Sequence, residues 1–255
     1  KVICMAFIIQ WVMFIPAYIF QTEKFYDLTG SLTYLSVIWF SLASTSDSFT
    51  NLTNGANLVI VLLITLWAVR LGSFLFMRIH KDGEDKRFRS IKPSSTQFFM
   101  TWTLQGLWVS LCSMCALTAI SSESGVVVNS LFYLGTGLFI LGFSLEVIAD
   151  NQKTKFRSVP ENRNKFITTG LWAKSRHPNF FGEIILWTGI AVISVSSLQG
   201  LQYITLISPL FTYLLLVYVS GVRMLEARAD KQWGDQDEYK QYKSQVPTLL
   251  IKFWK

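Results

Sequence analysis

The sequence predicts an all-α membrane protein, a polytopic helix bundle with about seven transmembrane helices. Of the 255 residues, 51% are hydrophobic and only 15% are charged, which is not the composition of a soluble domain. Apolar runs also recur along the whole chain, and each approaches the roughly 20 residues that a helix needs to cross a bilayer. The runs are 2–20, 28–43, 56–76, 98–120, 126–148, 180–195 and 201–219.

The seven runs differ in how well they fit a spanning helix. The second run, 28–43, and the sixth, 180–195, are the shortest and need flanking polar residues to reach full length. The first run could be mistaken for a secretory signal peptide. It has a single Lys, no Ala-x-Ala cleavage site and an apolar stretch longer than a signal peptide needs. We therefore interpret it as a first spanning helix.

The distribution of Lys and Arg predicts the orientation of the bundle. All 23 of these residues except Lys1 and Arg70 lie at Lys24 or in the segments 78–92, 153–176 and 223–255. The intervening loops contain none: 44–55, 121–125 and 196–200. With seven helices these two sets of loops face opposite sides, so the positive-inside rule places the C-terminus in the cytoplasm and the N-terminus outside.

The net charge of +7 is therefore interpreted as topology and contact with lipid headgroups, not as nucleic-acid binding. No repeat or linker divides the chain, which predicts one integral membrane domain over 1–255. The expected location is a multi-pass position in a bacterial inner membrane or an endoplasmic reticulum-type membrane.

The three cysteines do not predict a metal or redox site. Cys4, Cys112 and Cys115 all lie inside apolar runs, and no His is near the Cys-x-x-Cys spacing of the last two. We interpret them as small apolar side chains and predict no metal.

The first polar group of interest is EVIADNQKTKFR, at the end of the fifth run. Glu146 and Asp150 are four residues apart and share one face of a helix, and Lys153 and Arg157 continue with the same spacing. The cations could simply bind lipid phosphates at a solvated helix end. Alternatively, Lys153 and Arg157 bind an anionic ligand while a carboxylate binds a hydroxyl or amide.

The second group is SRHPNFFGE, directly before and inside the sixth run. Proline disfavours the α conformation at the residue before it, so His177 is expected outside the helix and Pro178 in its first turn. Arg176, His177 and Asn179 then lie at the positive end of the helix dipole, which favours anions. Glu183 lies inside the apolar run, where a carboxylate needs a partner. That partner is either a ligand or Arg70 in the third run.

The third group is the tail RMLEARADKQWGDQDEYKQYKSQVP. Most of its charges are expected to face solvent. Arg223, Glu226, Tyr239 and Tyr242 are the members with a possible role in a site, the two tyrosines in an amphipathic stretch.

Four blocks in this order are typical of one family. They are WAVRLGSFLFMRI in the third run, then FSLEVIADNQKTKFR, TTGLWAKSRHPNFFGE and SGVRMLEARADKQWGDQDEYKQYK. Over about residues 60–250 the chain thereby resembles the steroid 5-alpha reductase superfamily, in particular its bacterial and protist integral membrane branch. That branch is related to sterol reductases and to isoprenylcysteine methyltransferases.

The resemblance implies a cytoplasmic NADPH site formed by these three polar groups. The residues that it implies as cofactor contacts are Asp150, Lys153, Arg157, Arg176, His177, Asn179, Gly182, Glu183, Arg223, Glu226, Tyr239 and Tyr242. A 2′-phosphorylated dinucleotide is polyanionic, and Arg and Lys suit it for that reason.

The substrate end departs from the family pattern. In the steroid 5-alpha reductases that this chain resembles, the substrate end uses a Glu of an early membrane helix. It also uses a Tyr near the Arg that Arg70 matches. Here Leu66, Trp67, Ala68 and Val69 precede Arg70, and the first two runs contain no Glu. The proton donor is therefore not assigned.

These features lead to one main functional prediction and two alternatives. The main prediction is an NADPH-dependent reductase that transfers hydride to the C=C bond of a lipophilic enone, such as a steroid, sterol or other lipid, entering from the bilayer. The first alternative is an S-adenosylmethionine-dependent methyltransferase of the isoprenylcysteine type, although that cofactor has no phosphate for Lys153 and Arg157. The second is a non-catalytic membrane subunit that retains the fold.

Overall fold

The computed structural model describes residues 1–45 and 55–252, and the regular structure in this part of the chain is helical. The α-helices are α1 (Val2–Ile19), α2 (Tyr26–Ser44), α3 (Gly55–Asp82), α4 (Ser95–Ile120), α5 (Ser130–Ser158), α6 (Pro178–Ser194), α7 (Ile207–Leu214), α8 (Val222–Trp233) and α9 (Asp237–Gln245). Short 3₁₀ helices lie in the connections, and a π-helical turn, Leu215–Val219, follows α7.

Six helical segments in the described residues are long and apolar enough to cross a membrane. They are Val2–Ile19, Gly55–Asp82, Ser95–Ile120, Ser130–Ser158, Pro178–Ser197 and Gly200–Trp233. Because they coincide with six of the seven apolar runs, the prediction of an all-α polytopic membrane bundle is confirmed.

The remaining run corresponds to α2, which is 19 residues long and is not among these six segments. Its Thr and Ser side chains lower its mean hydropathy, and several of them, such as Thr29, Thr33 and Ser41, are buried. A seventh span and the orientation of the bundle stay predictions.

The chain folds as two compact units. The first contains Lys1–Leu131 and Ile193–Ser208, and the second contains Phe132–Val192 and Pro209–Lys255. Whether the whole chain acts as one membrane domain stays a prediction.

In the first unit, α2 packs against α1, α3 and α4, and α1 also packs against α4. Polar side chains inside this packing form hydrogen bonds with each other. The amide of Gln10 donates to Thr33 Oγ1 over 2.8 Å, and the Thr33 hydroxyl donates to the carbonyl of Thr29 over 2.7 Å. Near the end of α1, Glu23 accepts from Lys92 Nζ at 2.5 Å and from the backbone N–H of Asp85 at 2.9 Å, which fixes the basic 84–92 connection.

In the second unit, α5 and α6 run antiparallel with their backbones in contact at two levels. A β-carbon added to Gly182 would lie 2.5 Å from the carbonyl oxygen of Gly142 and 2.7 Å from the backbone nitrogen of Glu146. About two turns further along α6, a β-carbon on Gly189 would lie 2.5 Å from the carbonyl oxygen of Gly135. Small residues permit such close helix contacts in membranes. The contact sets Gly142 and Glu146 of α5 beside the beginning of α6.

Candidate functional site

The end of α5 is joined to the 3₁₀ helix Gly170–Ala173 by side-chain hydrogen bonds. The indole N–H of Trp172 donates to the carbonyl of Ala149 over 3.0 Å, and Gln152 Oε1 accepts from the backbone N–H of Leu171 over 2.9 Å. Gly170 has a φ of 64°, and a β-carbon there would collide with the Gln152 side chain. Lys153 is held over the Trp172 ring, with Nζ 4.4 Å from its centre.

The helix α6 begins where the sequence predicts. Pro178 is the first helical residue and His177 lies just outside the helix, so this prediction is confirmed. The His177 ring stacks on Phe180 at 5.8 Å, and its Nε2 lies 2.8 Å from Glu226 Oε1 of α8.

Glu226 is the centre of a charged cluster between α6, α8 and α9. Its Oε2 lies 3.0 Å from Arg176 Nη2 and 3.8 Å from Lys243 Nζ. Lys243 lies closer to Asp230, with 2.5 Å between Nζ and Oδ1. Three basic side chains thus converge on two carboxylates that α8 carries one turn apart.

The chain that follows α9 returns along residues 174–176. The backbone N–H of Arg176 donates to the carbonyl of Pro247 over 2.9 Å, and that of Lys252 donates to the carbonyl of Lys174 over 2.9 Å. The buried hydroxyl of Ser175 donates to the carbonyl of Leu249 over 2.8 Å. This return segment, 246–252, is thus hydrogen-bonded to the residues that lead into α6.

The guanidinium of Arg176 contacts both α9 and the return segment. Nη1 donates to the carbonyl of Lys243 over 2.9 Å, and Nη2 donates to Thr248 Oγ1 over 2.5 Å. One guanidinium therefore contacts a side chain of α8, the backbone of α9 and the return segment.

The two tyrosines of α9 complete the arrangement. Tyr242 donates its hydroxyl to the carbonyl of Trp172 over 2.7 Å, and Tyr239 contacts Asp230 Oδ1 over 3.3 Å. Both rings pack against Phe166. Burial raises the pKa of Tyr239 to about 12 and also raises the pKa of Tyr242, so both hydroxyls remain protonated donors at neutral pH.

Burial also determines the charge of His177. It lowers the pKa of the imidazole, and the hydrogen bond and negative charge of Glu226 offset this only in part. The positive charges of Lys153 and Arg176 lower the pKa further. His177 is therefore neutral at pH 7.

The structure brings together some of the predicted site residues and separates others. Arg176, His177, Glu226, Tyr239 and Tyr242 share one connected cluster, and Lys153 contacts the ring of Trp172, whose carbonyl accepts from Tyr242. Asp150 and Glu183 are buried, with 7% and 6% of their surfaces exposed, and Asn179 is half-buried in the first turn of α6.

Four further predicted residues are exposed, lie in helix packing or belong to the first unit. Arg157 and Arg223 are exposed, and Gly182 is in the α5–α6 contact. Arg70 belongs to the first unit, where its guanidinium lies 5.1 Å from the Phe74 ring centre. Its pairing with Glu183 of the second unit stays a prediction, as do the cofactor contacts.

Sequence reasoning missed three members of the cluster. Asp230 lies four residues after Glu226 and Lys243 four residues after Tyr239, so helical spacing from predicted members indicates both. Trp172 has no such signal, because its role depends on the carbonyl of Ala149 and on the cation of Lys153.

Two features together define the class of protein. One is the bundle of membrane helices, and the other is the connection of the Arg-His-Pro-Asn segment with the Glu and the Tyr-x-x-Tyr of the tail. The chain is a polytopic integral membrane protein of the steroid 5-alpha reductase superfamily. Within it, the chain belongs to the family described as "Protein of unknown function (DUF1295)", whose model matches residues 13–246. The resemblance drawn from the sequence is thus confirmed.

Two curated relatives are similar to parts of the chain. One is the "Probable O-methyltransferase ustE" of Ustilaginoidea virens, 31% identical over 116 residues that cover 40% of this chain and 41% of the relative. The other is the "Probable 7-dehydrocholesterol reductase" of Acanthamoeba polyphaga mimivirus, 28% identical over 152 residues that cover 51% of this chain and 32% of the relative. The chain thus spans less than half the length of either. No solved structure matches it.

Proposed function

We propose that the protein is a membrane-embedded NADPH-dependent reductase of a lipophilic enone. The observation that carries the proposal is the position of Lys153, held over the Trp172 ring, with Arg157 one helical turn further along α5. Two cations at the end of one helix suit phosphate groups. The reductase relative supports the same reaction class.

The other polar groups of this region fit a phosphorylated dinucleotide as well. Arg176 Nε and His177 Nδ1 are buried and have no hydrogen-bond partner among the described residues. One is a donor and the other a ring nitrogen, and buried polar atoms of this kind are normally satisfied. The hydroxyls and the amide of a dinucleotide provide both donors and acceptors.

When bound, a nicotinamide cofactor supplies the hydride, and the chain supplies binding and orientation. In this proposal Lys153 and Arg157 bind phosphate oxygens. Asp150 and Glu183, both buried, accept hydrogen bonds from ribose hydroxyls or the carboxamide. The apolar helices exclude water and admit the lipophilic substrate from the bilayer. The acid that protonates the product is not assigned.

A methyltransferase dependent on S-adenosylmethionine is the second candidate, because the relative with the higher identity is named as an O-methyltransferase. The two functions differ in the charge that the cofactor brings. S-adenosylmethionine has a sulfonium cation and one carboxylate but no phosphate, so it offers Lys153 and Arg157 much less negative charge than NADPH does.

Calorimetric titration of the purified full chain with NADPH, NADH and S-adenosylmethionine tests the proposal. NADPH is expected to bind most tightly. Because a hydrogen bond to a charged group contributes about 1.5–3 kcal/mol, Lys153→Ala or Arg157→Ala is expected to weaken NADPH binding roughly ten- to a hundredfold. Lys155→Ala, an exposed cation on the same helix, is the matched control.

Each other result leads to a different conclusion. Binding of S-adenosylmethionine without NADPH rejects the reductase in favour of the methyltransferase. Binding of none of the three supports a non-catalytic subunit. Equal losses in Lys155→Ala and Lys153→Ala mean that only the overall charge of the helix end matters.

A further inference from the structure

We infer that Glu226 holds His177 in the neutral tautomer protonated at Nε2, so that Nδ1 is a buried acceptor for a hydroxyl or amide N–H of the bound ligand. The identity of that ligand as NADPH rests on the proposed function. The tautomer does not, because it follows from contacts within the chain.

The first step is the hydrogen bond between the two side chains. His177 Nε2 and Glu226 Oε1 are 2.8 Å apart. An ionised carboxylate can only accept hydrogen bonds, so the proton between these atoms belongs to Nε2. Arg176 Nη2, 3.0 Å from the other carboxylate oxygen, keeps Glu226 ionised.

The second step is the state of the other ring nitrogen. A neutral imidazole with a proton on Nε2 has a lone pair on Nδ1, which makes that atom an acceptor. A second proton is disfavoured because the ring is buried, with 6% of the residue surface exposed, and because Lys153 and Arg176 are nearby. The negative charge of Glu226 favours a protonated ring, but Glu226 forms its hydrogen bond with Nε2 and not with Nδ1.

The third step is the direction of Nδ1. The ring is stacked on Phe180 with 17° between the planes, and Pro178 restricts the backbone of His177. Among the described residues Nδ1 has no hydrogen-bond partner, although it is buried. A buried acceptor without a partner is costly, and a ligand donor removes that cost.

The nature of the ligand group follows from this lone pair. A fully ionised phosphate oxygen has no hydrogen to donate, and the lone pair of Nδ1 repels it. A ribose hydroxyl or a carboxamide N–H fits instead. His177 thus recognises a neutral donor, while Lys153 and Arg157 are left to bind phosphate. Glu226 is a positioning residue that acts through His177.

Nitrogen-15 NMR of histidine-labelled full chain in detergent micelles tests the tautomer directly. The sequence contains two histidines, and a His80→Gln variant assigns the signals of His177. At pH 7 we expect a protonated Nε2 and an unprotonated Nδ1. Glu226→Gln is expected to give a mixture of tautomers, because an amide can donate or accept. A protonated Nδ1, or an imidazolium at pH 7, would overturn the inference.

Two matched variants test the ligand contact. In His177→Gln the amide reaches the position of Nε2 and keeps the contact with Glu226, but it lacks the Nδ1 acceptor. In His177→Asn the amide lies near the position of Nδ1 instead. Loss of one neutral hydrogen bond weakens binding roughly two- to tenfold, so we expect this loss of NADPH affinity in His177→Gln and a smaller one in His177→Asn.

The ligand contact is rejected if His177→Gln binds NADPH as tightly as the parent, or if His177→Asn shows the larger loss. Addition of NADPH is also expected to shift the Nδ1 signal in the direction of an accepted hydrogen bond, and an unchanged signal contradicts the contact. If NADPH does not bind the parent protein, the proposed function and the ligand contact both fail. The tautomer is still decided by the spectrum of the protein alone.

Discussion

The Nη2 atom of Arg176 lies 3.0 Å from Oε2 of Glu226, although 50 positions separate the two residues in the chain. The side chains have only 10% and 17% of their surfaces exposed, so water screens this pair less than a surface pair. The same guanidinium donates to Lys243 and Thr248. Arg176 thus connects the beginning of α6 to α8, α9 and the return segment.

Arg176→Lys is expected to destabilise the protein, because an ammonium cannot reach the same set of acceptors in the fixed geometry of a guanidinium. Loss of one hydrogen bond to a charged group corresponds to about 1.5–3 kcal/mol. Thermal unfolding in detergent measures the effect. Arg163→Lys, at an exposed position, serves as the control. Equal melting temperatures for the two variants would show that the guanidinium contacts contribute nothing.

Gly182→Ala is expected to destabilise the second unit by about 1–3 kcal/mol, as for other overpacked positions. The new β-carbon meets backbone atoms of Gly142 and Glu146, and backbone cannot move aside as a flexible side chain can. Gly137→Ala on α5 is the control, since no atom lies within 4 Å of its added β-carbon. Melting temperatures of both variants are compared. A Gly182→Ala protein that unfolds normally but binds NADPH weakly indicates a cofactor contact rather than helix packing.

Removal of residues 246–255 is expected to lower the melting temperature and weaken cofactor binding. The deletion takes away the carbonyls of Pro247 and Leu249 and the hydroxyl of Thr248, which accept from Arg176 and Ser175. A protein ending at Lys252 is the matched control. If the shorter protein melts and binds like the control, the return segment does not support the cluster.

Glu183→Gln is expected to weaken NADPH binding or turnover while the fold is retained. The substitution keeps the shape of this buried side chain, which has 6% of its surface exposed, and removes the negative charge. Calorimetry measures binding, and Glu161→Gln at an exposed position is the control. Unchanged binding and turnover in Glu183→Gln exclude a contact between this carboxylate and the cofactor.

Reporter fusions at the C-terminus are expected to be active only in the cytoplasm. The reason is that 78–92, 153–176 and 223–255 carry most of the Lys and Arg residues, whereas the loops on the other side carry none. Fusions of a cytoplasm-active and a periplasm-active reporter at the same position measure the orientation. Activity of the second reporter instead of the first reverses the topology.

The sequence by itself determined the helical membrane fold and the beginning of α6. Hydropathy over some 20 residues and the restriction that Pro178 imposes on His177 are local properties, and they do not depend on distant contacts. The family was also evident from the sequence, because its motifs are short and contiguous. The same motifs named Arg176, His177, Glu226, Tyr239 and Tyr242 as site residues.

Only the tertiary structure decided how these residues are connected. Arg176 reaches acceptors 67 and 72 positions away, and two of its acceptors are backbone carbonyls, which every residue has and no sequence pattern marks. The orientation of Trp172 towards the carbonyl of Ala149 is likewise invisible in the sequence. The two nitrogens of His177 differ only because Glu226, 49 positions away, contacts one of them. Local patterns place residues on elements, but the pairing of distant donors with acceptors depends on how the elements pack.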